Sequence, residues 1–175
     1  MKKAIQMMMF VAAATMFFAA CSKKDDVKPT TAGDNQMIYN GKTYQGVAQG
    51  SIQDGYGDLS CFSETDNLFF VIECHIENLT SSYTYDLTKA DPDHGLHIHA
   101  IAEGPSVQGD DILDLRYQNS PDLWYFLNGN NVSGSSAFTS GTAVATLNAD
   151  KIILELNGTL VNGKPLSFRI VVPRD

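Results

Sequence analysis

All four histidines of the chain fall between positions 75 and 99, and three of them stand in His94-Gly95-Leu96-His97-Ile98-His99. Side chains two apart on an extended strand point to the same side. His97 and His99 can therefore present two imidazoles to one copper or zinc ion, while Leu96, Ile98 and Ala100 take the opposite, apolar side. His75 sits on the polar face of its own run with Glu73 and Glu77, and becomes a third ligand if the two strands are neighbours. The competing reading is of solvent-facing histidines beside a loop, and on that reading no cofactor is expected.

Three other groups of residues invite chemistry. Cys61 and Cys74 are the thiols of the chain besides Cys21; they are either a disulfide or two small buried hydrophobes. If Thr65-Asp66 is a two-residue hairpin loop, Cys61 faces Phe70 and Cys74 lies about 13 Å away at strand rise. A bridge needs Cα atoms within about 7 Å, so it requires a longer loop or a contact between sheets. Trp124 and Tyr125, with Phe126, Tyr117, Tyr83 and Tyr85, offer rings for a glycan platform, since an apolar ring face stacks on sugar C–H groups. Asp91-Pro92-Asp93 and Gly109-Asp110-Asp111 are acidic loops without the spacing of a dedicated calcium site. No nucleophile elbow, phosphate loop or catalytic Cys–His spacing is present.

The elements that must position these residues read as strands. Asn40-Gly41, Asp54-Gly55, Asn128-Gly129, Asn157-Gly158 and Asn162-Gly163 supply the positive φ of tight turns. Between them apolar residues alternate. Phe70, Ile72, Cys74 and Ile76 share one face against Glu73, His75 and Glu77. Ile152, Leu154 and Leu156 form a second such face, and Leu166, Phe168, Ile170 and Val172 a third. Period two with one apolar face means half-buried antiparallel strands. The spacing predicts nine or ten strands in an all-β, two-sheet antiparallel sandwich, with a β-barrel as the alternative. Residues 160–166 predict a hairpin that makes the last two strands neighbours. Ser120-Pro121-Asp122, stopped by Gly129, fits a helix start; Leu123 to Leu127 fits an aromatic strand equally well.

The run His94 to His99 resembles the copper-binding strand of copper/zinc superoxide dismutases, where His-Gly-Phe-His-Val-His stands. That resemblance implies His97 and His99 as copper ligands and His94 as a supporting residue. It is local: no histidine follows His99, so the rest of that family's ligand set has no counterpart and dismutase activity is not expected.

Lys2 and Lys3, an apolar run from Ala4 to Ala20, and small residues before Cys21 form the secretory pattern. The run is short of the roughly 20 apolar residues of a spanning helix. Phe18-Ala19-Ala20-Cys21 resembles the lipobox of bacterial lipoproteins. This implies cleavage after Ala20 and a diacylglycerol on the Cys21 thiol, which anchors the protein to its membrane. Ser22-Lys23-Lys24-Asp25-Asp26 is similar to the export signal of Bacteroidota-type surface lipoproteins, which implies the outer membrane and display at the cell surface; the periplasmic face is the alternative. Asn40-Gly41-Lys42-Thr43-Tyr44 and residues 158–164 resemble small β-sandwich lipoproteins of the same group. A flexible tether is expected over 21–36 and a single domain over 37–175.

The chain carries a formal charge of −8. Removal of Lys2 and Lys3 with the leader leaves 10 basic against 20 acidic residues, a net charge of −10. Such a surface repels phosphate backbones, which excludes nucleic acid as a partner. Together these readings predict a monomeric, non-enzymatic binding or structural module of unspecified ligand, with a glycan or an envelope protein as candidate partners. The rivals are a copper- or zinc-binding protein and a glycan-binding one.

Overall fold

Burial alternates residue by residue along most of the chain, and the alternation sorts it into two sheets. The computed structural model describes residues 31–174 apart from Asp66. The expected leader and Cys21 lie outside the described residues. Numbered in chain order, the six-stranded sheet runs β2 (Lys42–Gln45), β1 (Gln36–Tyr39), β13 (Pro165–Pro173), β12 (Lys151–Leu160), β11 (Phe138–Leu147) and β6 (Tyr83–Asp86). The seven-stranded sheet runs β10 (Asn130–Ser133), β9 (Trp124–Leu127), β8 (Leu113–Gln118), β7 (Leu96–Glu103), β5 (Leu68–Ile76), β4 (Tyr56–Thr65) and β3 (Val47–Gln53). Every pairing is antiparallel, and neither sheet closes into a barrel. The two-sheet sandwich expected from the sequence is the observed fold. It has thirteen strands among the described residues, because four-residue strands such as β2, β6 and β10 are too short to show a period. Among the described residues no helix is long and apolar enough to cross a membrane.

The core is the space between the sheets. From the six-stranded sheet a row of Tyr44, Met37, Phe168, Leu156, Ala143 and Tyr85 faces inward, each opposite the next across the strands. From the seven-stranded sheet Leu59, Cys74, Ile98, Tyr117 and Tyr125 form the matching row. Tyr117 ties the layers: its hydroxyl donates to the Leu87 carbonyl at 3.0 Å, and its ring meets Phe138 edge-on at 5.2 Å.

Turn chemistry holds at most of the expected places. Asn40-Gly41, Asp54-Gly55 and Asn128-Gly129 have positive φ at both residues and close hairpins, and Gly163 does so in the β12–β13 turn. Asn157-Gly158 is the exception. It lies inside β12, where Gly158 faces Gly141 and the Phe138 ring fills the space over it. The segment after Ser120 is the aromatic strand β9 and not a helix, because inward Tyr125 and Leu127 complete the core.

The tether boundary also moves. Ala32 is buried, Asp34 pairs with Arg169 at 2.6 Å, and Asn35 accepts from the backbone N–H groups of Gly46 and Val171. The chain therefore joins the domain near residue 32, ahead of the expected residue 37.

Cys61 and Cys74 are both buried free thiols. The register differs by two residues from the expected one: Cys61 faces Ile72, and Leu59 faces Cys74. The cysteines are thus diagonal neighbours on the inner face, and such neighbours lie about 7–8 Å apart at Cα, beyond the reach of a relaxed bridge. Burial pushes the Cys61 thiol up to about 11. It pushes Cys74 higher, with Glu73 and Cys61 adding to the effect. Since the thiolate is the reactive species, Ellman's reagent at mildly alkaline pH should find neither thiol in the native protein and both after unfolding. Fast labelling of either in the folded state would contradict this packing.

Candidate functional site

The outer face of the seven-stranded sheet carries the histidines, and strand register decides who meets whom. His75 on β5 stands directly opposite His97 on β7, and Glu73 opposite His99. On the outer strands Asp58 faces His75, Gln118 faces His97, Arg116 faces His99, and Trp124 faces Gln118. One row across the face therefore reads Asp58, His75, His97, Gln118, Trp124. The next reads Ser60, Glu73, His99, Arg116, Phe126. Glu73, His75, His97, His99, Arg116 and Trp124 line one groove of about 330 Å³.

The strands β5 and β7 adjoin because the chain between them leaves for the other sheet, where β6 pairs with β11. The backbone N–H of Glu77 donates to the Gly95 carbonyl at 2.8 Å. Hydrogen-bonded and non-bonded pairs alternate along an antiparallel ladder, so His75 and His97 form a hydrogen-bonded pair with Cα atoms about 5.5 Å apart.

Each imidazole has a carboxylate beside it. His75 Nδ1 lies 2.5 Å from Asp58 Oδ1. His97 Nε2 lies 4.0 Å from Glu77 Oε1. His99 is flanked by two, with Nδ1 3.4 Å from Glu73 Oε2 and Nε2 4.0 Å from Asp114 Oδ1. His97 Nε2, His99 Nε2 and Asp114 Oδ1 are shut off from solvent and have no hydrogen-bond partner. Beside the groove Arg116 covers the Phe126 ring at 5.5 Å. Four carboxylates against one guanidinium make this face attractive to cations.

The expected chelate of His75, His97 and His99 is thus brought to one groove, but its rings turn apart. His97 leans toward Glu77 and His99 toward Asp114, in opposite directions along β7. Among the described residues no three His, Cys, Asp or Glu side chains converge on one point. His94 does not support the pair. It stacks on Tyr83 at 3.9 Å, and its backbone N–H donates to Asp91. The copper set implied by the dismutase-like run does not fit these positions.

The glycan platform of Trp124 and Tyr125 is split by strand geometry. Consecutive residues take opposite faces, so Tyr125 is in the core with Tyr117 and Tyr85. Trp124 is half-buried on the outer face, and its Nε1 donates to Asn131 at 2.7 Å. The acidic loops are engaged within the protein. Asp91 accepts from the Tyr83 hydroxyl and from the backbone of Asp93 and His94. Asp111 binds Lys42 at 2.7 Å and Asn40, and these contacts hold its carboxyl below the usual carboxylate range.

Comparison of the chain with protein-family models, with curated proteins and with solved structures finds no match in any of the three.

Three contributors to the site were not singled out from the sequence. Asp58 and Asp114 meet the histidines only through strand register. Gly95 reads as a spacer in the histidine run, yet a Cβ there would lie 2.4 Å from Glu77 Oε2. Glu77 folds over the bare backbone of Gly95, and this brings its carboxylate beside His97.

Proposed function

We propose that the protein is a lipid-anchored module of the bacterial cell envelope, non-enzymatic, which works by binding through the outer face of its seven-stranded sheet. The observation that carries the binding face is the groove holding His75, His97, His99 and Trp124 among carboxylates. A sheet needs one apolar face to pack; it does not need the other to gather imidazoles, carboxylates and an indole in a single depression. The anchor rests on the leader and on the lipobox-like residues ending at Cys21. Residue 32 is already part of the domain, so about ten residues separate the lipidated sulfur from the folded body. Fully extended, they span at most about 35 Å.

Mass spectrometry of protein extracted from native membranes tests the anchor. The expected N-terminal peptide begins at Cys21 and carries a diacylglycerol. An unmodified peptide beginning at Met1 overturns the assignment. Protease treatment of intact cells then reads the side: removal of the domain places it at the surface, and protection places it on the periplasmic face.

A further inference from the structure

We propose that an apolar corner on the outer face of the seven-stranded sheet docks on the lipid bilayer, through Val47, Phe62, Phe69, Val71 and Ile101, and so fixes the orientation of the anchored domain. The inference rests on the lipid anchor proposed above and goes beyond it. Acyl chains hold the protein at a membrane; this surface decides which side of the domain lies against it.

Three observations carry it. First, register lines up an apolar row where the solvated face of a sheet ordinarily carries polar residues. Val47 on β3 stands opposite Phe62 on β4, Phe62 opposite Val71 on β5, and Val71 opposite Ile101 on β7. Phe69, two residues from Val71 on the same face, widens the row. Val47 is 68% exposed, Phe62 42% and Phe69 37%. Four neighbouring strands span about 14 Å, so these side chains form one patch. Second, the patch begins where the chain arrives from the anchor. The Asn35 carbonyl accepts from the Gly46 N–H at 2.9 Å and lies 3.5 Å from Cys61 Sγ. Val47 follows Gly46, and Phe62 follows Cys61. The tether therefore enters the domain beside the two most exposed members of the row. Third, the rim of the patch is acidic. Phe69 lies between Glu64 and Glu103, and Asp114 closes the far end beside Ile101.

These observations choose the occupant. A patch of five side chains binds a bilayer weakly when free. A tether of about ten residues holds it near the surface at an effective concentration on the order of millimolar, where a weak contact is enough. A second copy seated on the same patch would bring two acidic rims together. The rim also repels anionic lipid, so the contact is apolar and favours zwitterionic headgroups. Docking at this corner leaves the row of His75 and His97 about 14 Å further along the strands, clear of the contact.

The test reads depth in the membrane. The lipidated chain, purified from membranes, carries a nitroxide at Gln49→Cys, which lies on the face of Val47 opposite Ser60. A second preparation carries it at Thr142→Cys, on an exposed position of the other sheet. Each is placed in phosphatidylcholine–phosphatidylethanolamine vesicles, and vesicle flotation and nitroxide accessibility to oxygen against a water-soluble nickel complex are measured. The expected result is that both float, that the nitroxide at 49 shifts toward oxygen and away from nickel, and that the one at 142 stays aqueous. Val47→Gln with Phe62→Gln should abolish the shift without stopping flotation, and circular dichroism checks that this variant is folded. Flotation with an aqueous signal at 49 overturns the docking and leaves the anchor standing. So does a shift that survives the double substitution, or one seen only when phosphatidylglycerol is added. Dipolar broadening at 49 in place of the shift would assign the patch to a second copy and overturn it as well. Protein that does not float refutes the anchor, and the docking falls with it.

Discussion

Tyr117→Ala is expected to lower the stability of the domain by about 3–5 kcal/mol, the range for emptying a buried aromatic site. Tyr117→Phe should cost under about 1 kcal/mol. Tyr117 projects from β8 into the core and is 2% exposed. Its ring meets Phe138 on the opposite sheet, and its neighbours Arg116 and Gln118 point the other way, into the histidine groove. The Ala variant opens a cavity between the layers under the functional face. The Phe variant loses only the hydroxyl bond to Leu87, a carbonyl that the Ser136 hydroxyl also serves, so no buried acceptor is stranded. Urea unfolding with an unchanged slope would measure both. Equal costs for Ala and Phe would mean that the hydroxyl, and not the ring, joins the sheets. The Phe variant should also keep the groove intact, which makes it a control for any loss of binding in the Ala variant.

What could be read in advance follows physical range. The alternation of Phe70, Ile72, Cys74 and Ile76 is local, and it placed His75 and Glu73 on the outer face correctly, because a strand has no other way to bury four apolar residues in nine. The hairpins at Asn40-Gly41 and Asp54-Gly55 are local for the same reason. Asn157-Gly158 carries the same dipeptide and is not a turn. A distant residue, Phe138, fills its space, and no local signal reports that. The opposition of His75 and His97 is less legible still. It depends on β6 crossing to the other sheet, which removes it from between β5 and β7. Once that crossing is known, the partners of every outer-face residue follow from register, Asp58 and Asp114 included. The direction each ring takes depends on side chains such as Glu77 over Gly95, and a pattern of residue types does not encode it.

Gly46→Val should destabilise the domain by about 3 kcal/mol, the upper end of the usual overpacking range. Gly46 is the one residue between β2 and β3, where the chain passes from the six-stranded to the seven-stranded sheet. Its N–H donates to the Asn35 carbonyl at 2.9 Å. A Cβ would lie 2.7 Å from Cys61 Sγ, 2.8 Å from the Phe62 carbonyl oxygen and 2.9 Å from Phe70 Cε1. A side chain can swing away, but a carbonyl held in the β3–β4 ladder cannot, so the crossing itself must shift. Gly163→Ala is the contrasting case. Its φ is +81°, and nothing lies within 4 Å of the added carbon, so it meets only the cost of a left-handed conformation, about 1–2 kcal/mol. Combining Gly46→Ala with Cys61→Ala separates the terms. Removing Sγ relieves one contact and leaves the Phe62 carbonyl, so the pair should recover part of the loss, with a coupling of about 0.5–3 kcal/mol in chemical denaturation. Full recovery would show that the thiol alone excludes a side chain at the crossing. No recovery would show that the backbone carbonyl sets the limit, and that glycine is required there by the path of the chain between its two sheets.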